Sequence, residues 1–382
     1  MKHDIILYHT QHTTQAITNT GIQRVVRGLV DSLLKEGKTV IPVRFNHGRF
    51  ELLGQHEFEI LSMYNGPDIK DWGDISRLQD LIPKATLLFI PELFSPASVL
   101  QQMLVHARNK RLKTATVFYD AIPVLMPEWY KEGAIAHKEY MKALSFCDDV
   151  FAISETSAND FKLIALDVYG NYNAKVHTLF LPNVFFDFPK LPEKENQTKN
   201  IEIISVSTVE VRKNHTNLLK AFNRASDRLS KEGYNLSLNI VGVETPWWQA
   251  TRAVESLMSG RTNITWHKKA DDELLMELYG SADFSVYQSI YEGYGLPVSE
   301  SLYLNTPVIC SNNSSVAEVA SFGGCITFDP YSVADIEEKI IMMATNPDLR
   351  KEKVLEGSKI KRKSWKKYTL EILDILEGGS NV

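Results

Sequence analysis

The chain has 382 residues, 44% hydrophobic and 10% aromatic, which is more than the usual single core of about 100–150 residues and predicts two packed domains. Its 42 basic and 47 acidic residues give a net charge of −5, which argues against a general nucleic-acid-binding protein. The sequence has three scattered cysteines, no apolar run of about 18 residues and no signal-peptide pattern. These features favour a protein of the reducing cytosol.

Short apolar runs alternate with amphipathic segments along the chain, which is the pattern of parallel strands joined by crossover helices. The strands predicted in the first half are Asp4–Tyr8, Thr39–Phe45, Thr86–Ile90, Thr114–Tyr119, Asp149–Ile153 and Val176–Leu181. Those predicted in the second half are Glu202–Ser207, Leu236–Val241, Ile264–His267, Phe284–Tyr287, Val308–Cys310 and Cys325–Phe328. We therefore expect an α/β protein with two doubly wound sheets.

A polar segment with two prolines, residues 188–200, lies between the two halves and cannot sustain a strand or a strong amphipathic helix. It predicts a linker between an N-terminal domain, residues 1–187, and a C-terminal domain, residues 201–360. Each domain is expected to be Rossmann-like.

The clearest helix follows the first strand. Apolar residues recur at helical spacing from Ile22 to Leu34, and Gly37 is a typical C-terminal stop. Polar capping residues, which end at Thr20, precede this helix. Gly21 leaves the backbone amides at the start of the helix unobstructed, as in helix N-termini that bind anions. The simpler interpretation is an ordinary helix cap.

Two adjacent cations, Arg212 and Lys213, lie between the first strand of the second half and the next helix. Open α/β sheets bind ligands at the carboxyl ends of their strands. An arginine fork and a lysine point charge there can neutralise a diphosphate. The alternative is a solvated surface pair.

The segment from Tyr287 to Glu300 carries the densest signal. A strand ends near Tyr287, a loop with Glu292 follows, and Pro297 suits the first turn of a helix that contains Glu300. Carboxylates accept hydrogen bonds from hydroxyls, and exposed amides at a helix N-terminus hold phosphate, so the segment suits a polyhydroxyl phosphate ester. The amides concerned belong to Gly293, Tyr294, Gly295 and Leu296. The alternatives are a first-turn acid at Glu300 and a solvated loop acid at Glu292.

The E-x7-E spacing of Glu292 and Glu300, within the sequence Glu-Gly-Tyr-Gly-Leu-Pro, resembles the retaining GT-B glycosyltransferases of the family 4 group, here with a mannosyltransferase-like character. The other motifs that agree in order are Thr20 to Val26, Tyr119 to Pro123, Ile153 to Ser157, Val209 to His215, Asn305 to Ile309, Ser314 to Glu318 and Phe328 to Pro330. The resemblance covers most of the chain. It implies a GT-B fold, in which two Rossmann-like domains face a cleft.

The resemblance also implies roles for the C-terminal residues. Arg212 and Lys213 match the basic pair that grips the donor diphosphate and stabilises the nucleotide leaving group. Glu292 matches the acid that contacts donor-sugar hydroxyls, and Glu300 matches the acid that binds the nucleotide ribose. The amides from Gly293 to Leu296 would line the sugar and phosphate.

In the N-terminal domain, the resemblance matches Gly21 to the small residue that faces the diphosphate, and it places Asp120 in the acceptor-side loop as a further catalytic candidate. Two positions depart from the family pattern. Tyr119, which we predict to contact substrate, stands where a histidine commonly contacts the donor sugar. Ser207 replaces a frequent glycine, and its side chain narrows the space in which the backbone can approach a phosphate.

The implied reaction is transfer of a hexose from a nucleotide sugar, with GDP-mannose favoured over a UDP-sugar, to a saccharide or lipid-linked saccharide in surface polysaccharide synthesis. No Asp-x-Asp triplet occurs, so no cofactor is expected and charge neutralisation without a metal falls to the basic pair. A nucleotide-sugar epimerase of the same architecture and a non-catalytic nucleotide-sugar-binding scaffold remain as alternatives.

The segment Arg350 to Thr369 is the only concentrated basic patch of the sequence. Residues 361–382 predict a C-terminal helix, which in similar proteins crosses back to the N-terminal domain. The patch is therefore either the solvated face of that packing or a contact with an anionic membrane surface at the cytoplasmic side.

Overall fold

The computed structural model describes residues 3–15, 17–170, 172–183, 199–244 and 248–379. The chain divides into two compact units, which we call unit 1 and unit 2. Unit 1 comprises residues 1–182 and 363–382, and unit 2 comprises residues 183–362. The predicted linker, residues 188–200, lies almost wholly outside the described residues.

Unit 1 is built on a seven-stranded sheet with the order β3-β2-β1-β4-β5-β6-β7. Its strands are β1 (Ile5–His9), β2 (Thr39–Asn46), β3 (Arg49–Leu52), β4 (Leu87–Ile90), β5 (Lys113–Phe118), β6 (Asp149–Ala152) and β7 (Lys175–Thr178). All neighbours pair in parallel except β2 and β3, which form an antiparallel hairpin at the edge. The six strands predicted for this half are present, whereas β3 was not predicted because its short polar sequence carries no apolar run.

The helices of unit 1 lie between these strands. They are α1 (Gly21–Lys35), α2 (Gln55–Leu61), α3 (Ala97–Asn109), α4 (Ile122–Leu125), α5 (Pro127–Tyr130), α6 (Glu132–Leu144), α7 (Glu155–Tyr169) and, from the end of the chain, α15 (Trp365–Glu377), with 3-10 helices at Ile69–Trp72 and Ile75–Lys84. Helix α1 ends as the sequence indicates, because Gly37 follows with a φ of +77°.

Unit 2 is built on a six-stranded sheet with the order β10-β9-β8-β11-β12-β13, parallel throughout. Its strands are β8 (Asn200–Val206), β9 (Asn235–Val241), β10 (Ile264–His267), β11 (Phe284–Tyr287), β12 (Val308–Ser311) and β13 (Cys325–Phe328). Its helices are α8 (His215–Leu229), α9 (Trp248–Met258), α10 (Asp272–Ser281), α11 (Leu296–Tyr303), α12 (Ser314–Ala320), α13 (Val333–Thr345) and α14 (Pro347–Ser358), with 3-10 helices at Val211–Lys213 and Ser230–Glu232.

Each sheet has one point where the direction of winding reverses. In unit 1 it lies between β1 and β4, and in unit 2 between β8 and β11. Open α/β sheets bind ligands at such a switch point, outside the carboxyl ends of the strands. Arg212, Lys213 and Glu292 lie in the loops after β8 and β11. Tyr119 and Asp120 instead follow β5, the next strand from the switch point of unit 1.

The C-terminal helix α15 packs on α1 within unit 1. A Cβ atom at Gly28 of α1 would lie 2.4 Å from the Trp365 ring, so only glycine leaves room for this contact. Tyr368 and Ile372 are buried beside it. The basic stretch Arg350 to Thr369 is not one helix, because α14 ends at Ser358 and α15 begins at Trp365.

Candidate functional site

The basic pair of unit 2 lies in one turn of 3-10 helix directly after β8. Arg212 and Lys213 occupy this turn, and Asn214 ends it in the left-handed conformation, with a φ of +58°. The Asn214 side-chain amide donates to the carbonyls of Gln288 and Pro330, at 3.2 and 2.7 Å. The turn is thus fixed by bonds to loops that are distant in sequence.

The loop after β11 is held against this turn by backbone hydrogen bonds. The N–H of Ile290 donates to the Arg212 carbonyl at 2.8 Å. The Gln288 side-chain amide donates to the Lys213 carbonyl, also at 2.8 Å. Because β8 and β11 are neighbours in the sheet, the loops that follow them meet at one edge. This contact brings the two strongest motifs of the sequence together.

Glu292 is the hub of this region. Its Oε2 accepts from Arg212 Nη1 at 2.7 Å. Its Oε1 accepts from the Tyr287 hydroxyl at 2.9 Å, from Lys213 Nζ and from the Ser289 hydroxyl. Four donors therefore converge on one carboxylate, which has about four lone-pair positions.

The residues of this hub are buried, except Arg212, which is half-buried. Glu292 is 7% exposed and Lys213 is 8% exposed, so the interpretation of both as solvated surface charges is wrong. Burial would raise the pKa of Glu292, but the charges of Arg212 and Lys213 and hydrogen bonds from Lys213 and Ser289 lower it to about 2. Burial, followed by the charge of Arg212, lowers the pKa of Lys213, and Glu292 opposes that shift.

A second acid balances the charge of the turn. Glu210 pairs with Arg212 Nη2 at 2.8 Å. Two cations, Arg212 and Lys213, are thus matched by two carboxylates, Glu210 and Glu292. The cluster carries no net charge of its own, yet it presents two cations that an anionic ligand can share.

The backbone around Glu292 is held by the start of α12. The N–H of Glu292 donates to the Ser314 hydroxyl at 3.0 Å, and the Glu292 carbonyl accepts from the Ser315 hydroxyl at 2.8 Å. Gly295 caps α11 with a φ of +100°, a conformation that L side chains rarely adopt, and Pro297 lies in the first turn as the sequence predicts.

Two further predicted residues are buried in unit 2. Glu300 lies on α11 and is 4% exposed. It is not in the first turn of this helix, which contains no acidic residue, so the alternative of a first-turn acid is wrong. The Tyr294 side chain is buried and burial raises the pKa of its phenol. Gly293 and Leu296, like Gly295, contribute backbone to the same loop and helix start.

The predicted residues of unit 1 are placed by helix caps. Gly21 begins α1, and Thr20 forms a capping box with Gln23, as an ordinary cap does. The Asp120 carboxylate accepts from the N–H of Ile122 at 3.0 Å and so caps the short helix α4.

Tyr119, predicted to contact substrate, is buried. Its hydroxyl donates to the Pro91 carbonyl at 2.5 Å. Its phenol therefore belongs to the core of unit 1, and the predicted substrate contact has no support in its position.

Unit 1 contains a cavity of about 560 Å³ at the carboxyl end of its sheet. Most of its lining surface is apolar. The polar side chains that line it are His12, Thr13, Thr20, Gln23, Glu92, Ser95, His137, Glu139 and Tyr140. The Tyr140 hydroxyl is buried and has no hydrogen-bond partner within the described residues. The cavity thus offers an apolar wall and an unused hydroxyl.

The loop along one side of this cavity is organised by Glu92, which is 1% exposed. Its carboxylate accepts from the N–H groups of Gln11, His12 and Thr13, the last two at 2.7 and 3.0 Å, and from the Thr13 hydroxyl at 2.7 Å. A buried carboxylate is therefore satisfied entirely by neutral donors.

The sequence analysis did not identify Glu92, His137 or Glu210, and it assigned no role to Tyr287 or Ser289. The position of Glu92 just after a predicted strand is a usable signal, because that is where ligand loops lie. The sequence around His137, on α6, gives no such signal.

Most of the basic patch between Arg350 and Thr369 is paired within the protein. The side chains that make ion pairs or hydrogen bonds are Arg350, Lys353, Arg362, Lys363, Lys366 and Lys367. In the described ranges, no helix is both long and apolar enough to cross a bilayer, and no cluster of three or more histidine, cysteine or acidic side chains is arranged to hold a metal ion.

Comparison with known proteins agrees with the site. Residues 187–361 match the family model described as glycosyl transferases group 1. The serotype-specific mannosyltransferase WbdA of Escherichia coli is 26% identical over 261 residues, which cover 65% of this chain and 31% of that protein. The O-antigen chain mannosyltransferase B of Escherichia coli is 35% identical over 104 residues, which cover 27% of each chain. The chain thus matches less than a third of the length of these two relatives.

Solved structures match almost the whole chain. The Anabaena HepE protein in complex with UDP and glucose superposes with a TM-score of 0.66 at 13% identity, covering 98% of this chain and all of that one. The sucrose-phosphate synthase of Thermosynechococcus elongatus gives a TM-score of 0.68 at 15% identity, with 98% of each chain covered. These matches confirm the predicted GT-B fold class, two α/β domains built on parallel sheets.

Proposed function

We propose that this chain is a retaining glycosyltransferase that moves a hexose from a nucleotide sugar to a saccharide acceptor. The match of residues 187–361 to the model of glycosyl transferases group 1 supports the proposal. The observation that carries the proposal is the pair of cations at the switch point of unit 2, the half-buried Arg212 and the buried Lys213. Charge develops on the departing diphosphate during transfer, and two fixed cations stabilise it.

We favour GDP-mannose as the donor and surface polysaccharide as the product. Support comes from the two Escherichia coli relatives, which are a serotype-specific mannosyltransferase and an O-antigen chain mannosyltransferase. A UDP-sugar is the alternative donor, because a structural neighbour was solved with UDP. The ribose of either nucleotide would be held by Glu300.

We place the acceptor, a saccharide or a lipid-linked saccharide, in the 560 Å³ cavity of unit 1. Its apolar wall suits the ring faces of sugars, and its polar groups suit hydroxyls. No metal cofactor is part of the proposal, since the two cations of the basic pair serve the leaving group. EDTA is therefore expected to leave the rate unchanged.

The test is transfer from GDP-mannose labelled in the sugar to mannosyl acceptors, with UDP-glucose and UDP-galactose in parallel. NMR of the product should show the anomeric configuration of the donor, and an inverted linkage would contradict the retaining mechanism. Turnover of the nucleotide sugar without an acceptor would instead indicate an epimerase. Stabilisation by a nucleotide sugar at 100 times its dissociation constant should reach about 2.7 kcal/mol.

The acceptor site has its own test on helix α6. Ala136 lines the cavity, whereas the adjacent Ile135 is 69% exposed. Ala136→Trp should fill the cavity and raise the acceptor KM without weakening nucleotide binding, and Ile135→Trp is the matched control. An unchanged acceptor KM in Ala136→Trp would place the acceptor elsewhere.

A further inference from the structure

We propose that Tyr287 is a positioning residue for Lys213: its hydroxyl, together with the Glu292 carboxylate, holds the lysine ammonium in the orientation that meets the donor diphosphate. The inference rests on the proposed function and extends it to a residue outside the basic pair. Tyr287 is the last residue of β11, so a rigid element carries it. Its hydroxyl accepts from Lys213 Nζ at 3.0 Å and donates to Glu292 Oε1 at 2.9 Å.

The direction of these bonds is fixed by chemistry. A phenol has one proton, and a lysine ammonium can only donate, so the Tyr287 proton must go to Glu292. Tyr287 is 3% exposed, and burial together with the charge of Glu292 raises the pKa of its phenol well above the ordinary value. The hydroxyl therefore stays protonated and keeps this orientation at any working pH.

Lys213 would otherwise be poorly oriented. Its ammonium sits on a flexible four-carbon stem and has three N–H donors. In the structure, one donor goes to Glu292 and one to Tyr287. Two anchors set the direction of the third N–H, which is the one we assign to an oxygen of the donor diphosphate.

The same geometry changes the role expected for Glu292. Its carboxylate already accepts from Arg212, Lys213, Tyr287 and Ser289. Three of these donors share Oε1, and Arg212 takes one of the two positions of Oε2, so about one position is left for a donor-sugar hydroxyl. We therefore assign Glu292 to holding the two cations, which replaces the sugar contact implied by the family resemblance.

The protonation of Lys213 depends on the groups that face it. Burial, followed by the charge of Arg212, lowers the pKa of Lys213, while Glu292 and Glu210 oppose that shift. His215, at the start of α8, is buried, and burial followed by the Lys213 charge lowers its pKa to about 3, so it stays neutral. Tyr287 offers an acceptor to the charged ammonium, and removing that acceptor favours the neutral amine.

The experiment compares Tyr287→Phe with the full-length wild type in transfer assays from pH 6 to 10. We expect kcat to fall about ten- to a hundredfold with little change in the donor KM, because the hydrogen bond orients a charged group. The basic limb of the kcat profile should shift to lower pH by about one unit, because the Lys213 ammonium loses an acceptor and its pKa falls. A merely structural tyrosine would not move this limb.

Tyr8→Phe is the matched control. Tyr8 is also fully buried, in β1 of unit 1, and its hydroxyl donates to the Val26 carbonyl at 2.7 Å. It should lose stability but keep the wild-type pH profile. If Tyr287→Phe matches Tyr8→Phe in kcat and in its profile, or changes only the donor KM, the proposal is overturned. An inactive wild type would instead count against the proposed function.

Ser289→Ala keeps the proposal testable if Tyr287→Phe does not fold. It removes one donor from Glu292 Oε1 but leaves both contacts of the Lys213 ammonium. We expect a smaller loss of kcat and a basic limb at the wild-type pH or above. If the basic limb of the kcat profile shifted to lower pH by one unit in Ser289→Ala, the cause would be a general loosening of the loop. This result would overturn the role of Tyr287.

Discussion

The two units place a buried glutamate at corresponding points of their sheets, yet they satisfy it in opposite ways. Glu92 follows β4 in unit 1, and Glu292 follows β11 in unit 2, each beside a switch point. Within the part of the chain that the structure describes, the groups that donate to Glu92 are neutral: three backbone N–H groups and one hydroxyl. Glu292 accepts from Arg212 and Lys213 as well as from two hydroxyls.

The different donors indicate different roles for the two carboxylates. Neutral donors order the loop around Glu92 without bringing positive charge to the cavity, which suits an uncharged ligand such as a saccharide. Around Glu292, the donors are themselves cations, and the carboxylate keeps them charged and oriented where an anion would bind. One glutamate shapes a loop, and the other organises an electrostatic site.

The largest effect is expected for Glu292→Gln, because it leaves the buried Lys213 and the half-buried Arg212 without their shared counter-ion. Loss of one partner of a buried pair typically costs about 3–5 kcal/mol. Urea denaturation of the variant and the wild type at pH 7 measures this cost. A difference below about 1 kcal/mol would show that the pair behaves like a surface salt bridge.

The pH dependence of that cost sharpens the test. The pKa of Glu292 is lowered from 4.5 to about 2 in the fold, so its contribution is complete above about pH 4.5 and is lost as the pH falls towards 2. The gap in stability between wild type and Glu292→Gln should therefore narrow through this window. A gap that widens on acidification would contradict the assignment.

The next effect is on turnover. Lys213→Ala should lower kcat by about two to three orders of magnitude, because one charge contact to the transition state is worth about 3–4 kcal/mol. Lys220→Ala, a change of an exposed lysine on α8, is the control. An unchanged rate at saturating donor would remove Lys213 from the leaving-group site.

Glu92→Gln applies the same substitution to unit 1 and should cost less. In the variant, one of the N–H or O–H groups that donate to the carboxylate would face the N–H of the side-chain amide and lose its acceptor. This should lower the free energy of unfolding by about 1–3 kcal/mol. Because His12 and Thr13 line the cavity, the acceptor KM should rise while binding of the nucleoside diphosphate stays unchanged. Weakened nucleotide binding in this variant would break the division of roles between the two glutamates.

The smallest effect concerns the basic segment Arg350 to Thr369. Six of its nine basic side chains are paired internally, so little charge is left for an anionic surface. Each available basic residue is worth about 1 kcal/mol near a membrane. We expect weak binding to phosphatidylserine vesicles that disappears with salt. Strong binding that survives 0.5 M salt would contradict this estimate.

Much of the fold could be predicted, because strands and helices follow local patterns. Each of the twelve predicted strands overlaps an observed one, and Ile264–His267 and Cys325–Phe328 have the predicted bounds. The exception is β3, whose pairing with β2 depends on the turn at His47 and Gly48, both with positive φ. Its four residues, Arg-Phe-Glu-Leu, alternate polar and apolar as a half-buried strand does, so the signal was present but short.

The sequence by itself determined which residues can do chemistry at the carboxyl ends of the strands. Glu292 lies on a loop and Glu300 on a helix because a strand ends before the first and Pro297 begins the helix of the second, and both signals are local. The adjacent cations of the basic turn are equally local. Such features depend on a few neighbouring residues, so they can be read without the fold.

Only the tertiary structure decided which of these residues meet. Glu292 binds Lys213 across 79 positions of the chain because β8 and β11 are neighbours in the sheet, and strand order is not written in any local pattern. The same packing turns Tyr287 from the end of an apolar strand into the partner of a lysine. Burial then gives these charges their strength, because solvent that would screen them is excluded only once the two loops have come together.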